Sequence, residues 1–204
     1  MADRLEFENR LWDEGYQRVM GLDEVGRGCL SGPVVAAGVI FKEGTDIKEI
    51  RDSKTLSLEE RTELCDVIKS EAAYWTIKWC DPEEIDELNI LWASIKAMQK
   101  CADAEGAAPD YLLVDGNRFG SSIYPHACIV GGDDRSMSIA AASIIAKVYR
   151  DEWMIKLHED YPGYGWDTNV GYPTQKHFEG LKEFGITKYH RRSFRLRTEK
   201  ERGD

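Results

Sequence analysis

The sequence predicts an α/β or α+β fold in which helices cover both faces of a central sheet. Apolar runs rich in β-branched residues come first, and strand-like and helix-like patterns then alternate along the chain. No internal repeat, low-complexity tract or Pro/Ser-rich linker interrupts them. Because 204 residues are enough to bury one substantial core, we expect a single domain over residues 1–204.

Five runs of residues are typical of strands. The first is joined to the second by a glycine-rich turn, and the second is dense in β-branched residues. The third alternates in polarity, and the last two each end in a polar residue or a glycine. The predicted strands are Arg18–Leu22, Val34–Phe41, Ala73–Trp79, Tyr111–Val114 and Ala127–Val130.

Four helices are predicted from their start signals and apolar spacing. Ser57 and Glu60 are spaced as a capping box, and Asp81 stands before Pro82 as an N-cap. The longest pattern contains a run of alanines that suits close packing against a sheet. The predicted helices are Ser57–Ser70, one from Asp81 to about Ala104, Ser138–Glu159, and one from Thr174 to Phe184 that Gly185 ends.

The charge balance argues against a protein that binds the phosphate backbone of nucleic acids. The 27 Lys and Arg residues against 37 Asp and Glu residues give a net charge of −10, whereas proteins that bind the phosphate backbone are usually basic. No apolar run approaches the ~18 residues that a membrane span needs, and residues 1–15 lack the apolar block of a signal peptide. We therefore expect a cytoplasmic protein that does not contact membranes.

The five cysteines give no sign of a metal site or a disulfide framework. They are widely spaced and form no C-x-x-C pair, and the four histidines show no metal-ligand spacing. We expect all five to be small buried side chains, and we assign no histidine a catalytic role. The cysteines are Cys29, Cys65, Cys80, Cys101 and Cys128.

Acidic residues stand where predicted strands end or turn. Asp23 and Glu24 lie in a glycine-rich segment, Asp115 follows the fourth strand, and Asp133 and Asp134 follow the fifth. Carboxylates that converge there would repel one another, and Mg²⁺ or Mn²⁺, which accept ligand sets made only of oxygen, would relieve that repulsion. Each acid taken alone could equally cap a helix or make an Asx-turn. Together they indicate a divalent-metal site.

A series of short motifs follows one another in order from Gly21 to Phe194. They are Gly21-x-Asp-Glu-x-Gly-Arg-Gly28, Gly32-Pro-Val-Val35, Asp52-Ser-Lys54, Val114-Asp-Gly116, Gly132-Asp133, Ala140-Ala-Ala-Ser-Ile-x-Ala-Lys147, Arg150-Asp151, Gly171-Tyr-Pro-Thr174 and His190-Arg-Arg-Ser-Phe194. The series resembles bacterial ribonuclease HII over nearly the whole chain. The resemblance implies a ribonuclease H-like fold, with a central mixed five-stranded sheet flanked by helices and a helical C-terminal portion.

The resemblance also implies a reaction. It is the metal-dependent hydrolysis of the phosphodiester 5′ of ribonucleotides, in RNA–DNA hybrids and at single ribonucleotides embedded in duplex DNA, leaving a 3′-hydroxyl and a 5′-phosphate. The biological setting would be ribonucleotide excision repair and primer removal. Two Mg²⁺ or Mn²⁺ ions would be held by Asp23, Glu24, Asp115 and Asp133, where Asp133 is preferred to Asp134 because it keeps the family's spacing to the following Ala-Ala-Ser.

The same resemblance implies a set of substrate-binding residues. The glycine-rich turn would read the ribonucleotide 2′-hydroxyl through backbone groups, and Tyr172 would stack on the next sugar. From the residues alone, Tyr172 could equally be a packed loop aromatic, and Lys147 and Arg150 could form a solvated helix face. The implied substrate-binding residues are Gly26, Arg27, Gly28, Lys54, Ser143, Lys147 and Tyr172.

Residues 160–204 are expected to form a substrate-contacting portion of helix and loop. Between Phe184 and Thr198 every charged residue is basic and aromatic residues interleave with them, as in segments that contact nucleic acid, although such a tail could also be solubilising surface. This basic tail contains Lys188, Arg191, Arg192, Arg195 and Arg197. Residues 197–204 lack the pattern of a sliding-clamp peptide, and we expect a monomer.

Two positions depart from the family pattern, and three other functions compete with the leading one. Cys29 stands where a proline is frequent, and Gly131 where a lysine is common.

A junction resolvase of similar fold is disfavoured by the Asp-Glu pair beside Gly-Arg-Gly. A non-catalytic nucleic-acid-binding module is disfavoured because all four acids are present. A small-molecule phosphatase or another Mg²⁺ enzyme would leave the motif series unexplained.

Overall fold

The computed structural model describes residues 4–50 and 56–196, and these residues build a mixed five-stranded sheet in the order β3-β2-β1-β4-β5. The β1–β2 and β2–β3 pairs are antiparallel, whereas β1–β4 and β4–β5 are parallel. The predicted mixed sheet is confirmed. The strands are β1 (Val19–Val25), β2 (Val34–Ile40), β3 (Tyr74–Cys80), β4 (Tyr111–Asp115) and β5 (His126–Ile129).

Helices lie on both faces of the sheet, as predicted. One face packs against α4 and the other against α2 and α5, so each face has its own apolar cluster. The helices of the described residues are α1 (Glu6–Asp13), α2 (Leu58–Glu71), α3 (Pro82–Leu88), α4 (Ile90–Ala102), α5 (Met137–Asp160), α6 (Trp166–Asn169) and α7 (Gln175–Phe184).

The long helix α5 crosses β1 at a glycine. A Cβ atom at Gly21 would lie 2.2 Å from the carbonyl carbon of Ser138, so a larger residue there would push the helix off the sheet. The run Ala140–Ala142 is buried on the same helix, which confirms that small residues allow the close approach. This packing fixes α5 relative to the strand that carries Asp23.

One predicted helix is two helices. The chain turns sharply at Asn89, whose φ of 66° is outside the helical region, so α3 ends at Leu88 and α4 begins at Ile90. The Asn89 side chain accepts hydrogen bonds from the backbone N–H groups of Leu91 (3.0 Å) and Trp92 (3.3 Å). The apolar spacing continues across the break, which is why periodicity alone predicts a single helix.

The patterns described above do not predict α1, which is anchored by a buried carboxylate. Glu8 is 1% exposed, and one of its oxygens accepts hydrogen bonds from the Ser136 hydroxyl (2.6 Å) and the Ser138 backbone N–H (2.9 Å). A negative charge there suits the positive end of the α5 dipole. The interaction therefore ties α1 to the first turn of α5.

The cysteine prediction is wrong at one position. Cys29, Cys65, Cys80 and Cys101 are buried, but Cys128 on the edge strand β5 is exposed. Within the described part of the chain, no helix is both long enough and apolar enough to cross a membrane.

Candidate active site

Asp23 and Asp115 lie side by side where the parallel pairing of β1 with β4 ends. In the β1–β4 register Leu22 is opposite Val114, so the next residue on each strand is one of the two acids. Strand alternation directs both side chains to the α5 face of the sheet. There the Ser143 hydroxyl of α5 lies within hydrogen-bonding reach of Asp23. Strand register therefore brings together two acids that are 92 positions apart.

Glu24 approaches the same edge from the opposite face of β1. Its side chain is 7% exposed, and one of its oxygens accepts a 3.1 Å hydrogen bond from the Arg27 guanidinium. Its backbone N–H donates to Asp23 Oδ1 at 2.7 Å. The first two acids are thus held by the strand itself and by the turn that follows it.

The fifth strand supplies the remaining acids through a tight 3-10 turn at Gly132–Asp134. The Gly132 N–H donates to Asp115 Oδ1 at 2.7 Å, which joins this turn to β4. Asp133 is half-buried, and its charge acts on Asp115. Asp134 is exposed and pairs with Arg4 at 3.7 Å. Of the two, Asp133 is the acid whose charge acts on Asp115, and its role as the metal ligand stays a prediction.

Burial and mutual repulsion make Asp23, Glu24 and Asp115 harder to ionise. The pKa of Asp23 is raised well above its ordinary value by burial and by the charges of Glu24 and Asp115. Burial also raises the pKa of Glu24, against the opposing charge of Arg27. It raises the pKa of Asp115 as well, and Asp133 adds repulsion there. A positive charge placed among these side chains would relieve the repulsion.

The acids fit a divalent cation whose coordination shell is completed by the substrate. The site offers carboxylate oxygens, which Mg²⁺ and Mn²⁺ prefer. Across residues 4–50 and 56–196, however, no three His, Cys, Asp or Glu side chains converge closely enough to hold a metal ion by themselves. Mg²⁺ commonly binds through one or two carboxylates, with water and substrate phosphates completing its shell. The open arrangement of acids suits that mode.

The Gly26–Gly28 turn projects from the end of β1 beside the acids. Gly26 is buried with a φ of 92°, and a Cβ atom there would lie 2.1 Å from the Nε atom of Arg150. Arg27 and Gly28 are exposed. Glycine is therefore required at Gly26 for both its backbone conformation and its close contact, and the rest of the turn is open to a ligand.

Tyr172 stands against this turn. A Cβ atom at Gly28 would be 3.7 Å from the Tyr172 ring, and the side chain is 39% exposed. The Leu30 N–H donates to the Gly171 carbonyl at 2.8 Å, which docks the loop before Tyr172 onto the chain after the turn. The structure thus brings two motifs from opposite ends of the sequence to one surface.

The basic residues singled out from the sequence have different environments. Lys147 is half-buried and pairs with Asp151 at 2.9 Å. Arg150 is fully buried and donates to the carbonyls of Pro33 (3.0 Å) and Ser31 (3.1 Å), so a solvated helix face is wrong for Arg150. Lys54 lies outside the described residues, as does Arg197 of the basic tail.

The sequence analysis did not predict that part of the basic tail is buried. Arg191 has no exposed surface, and His177 and His190 are buried as well. A run of basic residues does not reveal which of its members is buried, because that depends on carbonyl groups from distant loops. No local signal distinguishes Arg191 from the exposed Arg192 beside it.

Comparisons with known proteins point to one family. The family model described as Ribonuclease HII matches residues 20–197. A curated ribonuclease HII from Salinibacter ruber is 50% identical over 196 residues, covering 94% of this chain and 98% of the relative.

Solved structures agree with that match. The ribonuclease H2 of Pyrococcus horikoshii OT3 superposes with a TM-score of 0.75 at 25% identity, covering 87% of this chain and 94% of the other. The ribonuclease HII of Archaeoglobus fulgidus, solved in complex with PCNA, gives a TM-score of 0.74 at 26% identity, covering 89% and 97%. These neighbours confirm the predicted ribonuclease H-like fold.

Proposed function

The chain belongs to the ribonuclease HII family and is a ribonuclease H, a hydrolase of RNA–DNA hybrids, and from this premise we propose a more specific reaction. The protein cuts the phosphodiester on the 5′ side of a ribonucleotide, both in hybrids and at single ribonucleotides embedded in duplex DNA. The products are a 3′-hydroxyl and a 5′-phosphate. This reaction would serve ribonucleotide excision repair and primer removal.

The proposed catalytic and metal-binding residues are Asp23, Glu24, Asp115 and Asp133. The observation that carries the proposal is that Asp23 and Asp115 lie side by side where the β1–β4 pairing ends, and that burial raises the pKa of each. Two Mg²⁺ or Mn²⁺ ions bound among these acids would activate the attacking water and stabilise the leaving oxygen. The chain itself orients the acids, through the Gly132 N–H on Asp115 and the Arg27 guanidinium on Glu24.

The proposed selectivity depends on the 2′-hydroxyl, the group that distinguishes RNA from DNA at a given nucleotide. The turn at Gly26, Arg27 and Gly28 would contact that hydroxyl with backbone groups, and Tyr172 would stack on the adjoining sugar. Their shared surface supports this assignment. We propose Lys54, Ser143 and Lys147 as phosphate-contacting residues. Of Ser143 and Lys147, Ser143 is the one that lies beside Asp23.

The net charge of −10 limits how the protein holds its substrate. We propose that its nonspecific affinity for DNA is weak, so that productive binding relies on the metal ions and the 2′-hydroxyl.

One domain spans residues 1–204, and residues 160–204 contribute the substrate contact through Tyr172. We also propose that the protein acts as a monomer in the cytoplasm. Residues 197–204, where the sequence predicts no sliding-clamp peptide, lie outside the described residues.

A nicking assay tests the proposal. A labelled DNA duplex with one internal ribonucleotide is incubated with the protein and Mg²⁺ or Mn²⁺, beside a chelator control and an all-DNA duplex of the same sequence. We expect a single nick 5′ of the ribonucleotide, with both controls intact. A nick elsewhere, cleavage with the chelator present or cutting of the all-DNA duplex would contradict the proposed reaction.

A further inference from the structure

The end of the described chain lies across the base of the Gly26–Gly28 turn. We call residues Thr187–Phe194 the C-terminal strap. The Gly32 N–H donates to the Tyr189 carbonyl at 2.9 Å, and the Arg191 N–H donates to the Leu30 carbonyl at 2.9 Å. The strap therefore pairs with the segment that directly follows the turn.

The Arg191 side chain extends this contact into the turn itself. Its Nε donates to the Gly32 carbonyl at 3.0 Å, and its Nη1 donates to the Arg27 carbonyl at 3.1 Å. Burial lowers the Arg191 pKa to about 10, so the side chain stays charged at neutral pH. Because Arg191 has no exposed surface, it cannot contact nucleic acid directly. It instead fixes a carbonyl in the middle of the turn.

A second set of bonds leads from the strap to Tyr172. The Tyr172 carbonyl only accepts, so His177 Nδ1, 2.9 Å away, must carry a proton. The Trp166 indole donates to His177 Nε2 at 3.2 Å, so that nitrogen must be unprotonated. His190 Nε2, at 3.1 Å, must then be the donor, and its Nδ1 accepts from the Thr187 N–H at 3.0 Å. Each neutral histidine thus has one required tautomer.

We propose that Arg191 and the His177–His190 pair are positioning residues that set the Gly26–Gly28 turn and Tyr172 relative to each other. This inference rests on the proposed function, since it assumes that these two elements read the ribonucleotide. A planar guanidinium can hold two carbonyls at a fixed angle, whereas an ammonium cannot reproduce that geometry. A misplacement of about 1 Å can cost ~10²-fold in rate, so such a frame affects discrimination and not only stability.

The first test measures discrimination in the Asp115→Asn background, where the substrate stays uncut. The ratio of Kd for the all-DNA duplex to Kd for the single-ribonucleotide duplex is determined with and without Arg191→Lys. We expect Arg191→Lys to lower the ratio about tenfold and to change the Kd of the all-DNA duplex less than about twofold. Ile68→Ala, at a fully buried position on α2, is the control for lost stability and should keep the ratio unchanged.

A matched pair of His177 variants tests the second set of bonds. His177→Asn places an amide N–H near the position of Nδ1, whereas His177→Phe fills the space without a donor. We expect His177→Asn to retain more of the ratio than His177→Phe does. Equal ratios for both variants and the unsubstituted protein would overturn the role of the histidine pair.

A readout that needs no substrate separates this inference from the proposed function. Amide hydrogen exchange at residues 26–32 and at Gly171 and Tyr172 should accelerate in Arg191→Lys and stay unchanged in Ile68→Ala. Unchanged exchange in these segments, or an unchanged Kd ratio, would overturn the positioning role while the nicking assay still stands. Absence of any preference for the ribonucleotide in the parent protein would instead overturn the proposed function, and with it this inference.

Discussion

The acidic edge of the sheet and the turn held by the C-terminal strap are neighbours with opposite energetics. At the edge, Asp23 and Asp115 are brought together although burial and like charge raise the pKa of each. At the strap, Arg191 donates to the carbonyls of Gly32 and Arg27, and His190 accepts from the Thr187 N–H. The first region tolerates repulsion that a cation can relieve, whereas the second is held together by hydrogen bonds to backbone groups. The contrast separates the acids that we propose to perform the chemistry from the residues that we propose to position the turn and Tyr172.

The largest expected effect comes from removing a charge at the acidic edge. Asp115→Asn keeps an oxygen that can accept from the Gly132 N–H but loses the charge that would bind a cation. We expect the rate of nicking to fall about 10³-fold or more, with duplex binding retained, because a cation that would stabilise the transition state would lose a ligand. Single-turnover rates and Kd values check this. Near-normal cleavage by the variant would remove Asp115 from the proposed catalytic set.

The next largest effect is expected at Gly26, in the turn that the C-terminal strap contacts. Gly26→Ala would place a Cβ atom 2.1 Å from Arg150 in a backbone with a φ of 92°. Gly15→Ala is a matched control, because Gly15 has a φ of 96° but no heavy atom within 4 Å of the added Cβ. The backbone strain common to both costs about 1–3 kcal/mol.

The clash adds to that cost only at Gly26, so we expect a clearly lower free energy of unfolding for Gly26→Ala than for Gly15→Ala. Urea unfolding of the two variants measures the difference. We also expect nicking to be lost in Gly26→Ala and kept in Gly15→Ala. Equal loss of stability would mean that the turn can move away from Arg150.

The two regions also differ in how far the sequence alone predicts them. The predicted strand Arg18–Leu22 stops just before Asp23, whereas β1 continues to Val25, and the predicted strand that ends at Val114 stops just before Asp115. Local patterns therefore place the two acids near the sheet, while their pairing depends on the β1–β4 register. Arg191 bonds to Gly32 and Arg27, which are 159 and 164 positions away, through carbonyl groups that every residue possesses. No side-chain pattern identifies such partners. The same limit explains the break at Asn89, where one positive φ interrupts an otherwise continuous apolar stripe.

A smaller effect concerns the stability of the metal-free protein. A carboxyl whose pKa is higher in the folded than in the unfolded state stabilises the fold while protonated. That contribution is lost as the pH rises from the unfolded pKa of about 4 through the raised folded pKa of Asp23. We therefore expect Asp23→Asn to be more stable than the parent above this range and to show a flatter dependence on pH.

Thermal unfolding in chelator, over a pH series, measures that difference. A gain of about 1 kcal/mol would raise Tm by about 2–4 °C in a chain of this size. Adding Mg²⁺ should stabilise the parent more than Asp23→Asn, since a bound cation relieves the same repulsion. A parent protein that is more stable than the variant in chelator at neutral pH would show that Asp23 is not under strain.

The smallest expected effect tests the link between the two regions, the Arg27–Glu24 ion pair. Arg27 is half exposed, so its loss should change the free energy of unfolding by less than about 0.5 kcal/mol. Its charge nevertheless lowers the pKa of Glu24 against the effect of burial. In Arg27→Gln we therefore expect the acid limb of the pH–rate profile to move to higher pH, because Glu24 holds its proton longer. Arg10→Gln, which removes a surface arginine on α1, is the control. An acid limb that stays in place in Arg27→Gln would show that ionisation of Glu24 does not limit the reaction, and that the turn acts on the substrate without tuning the acids beside it.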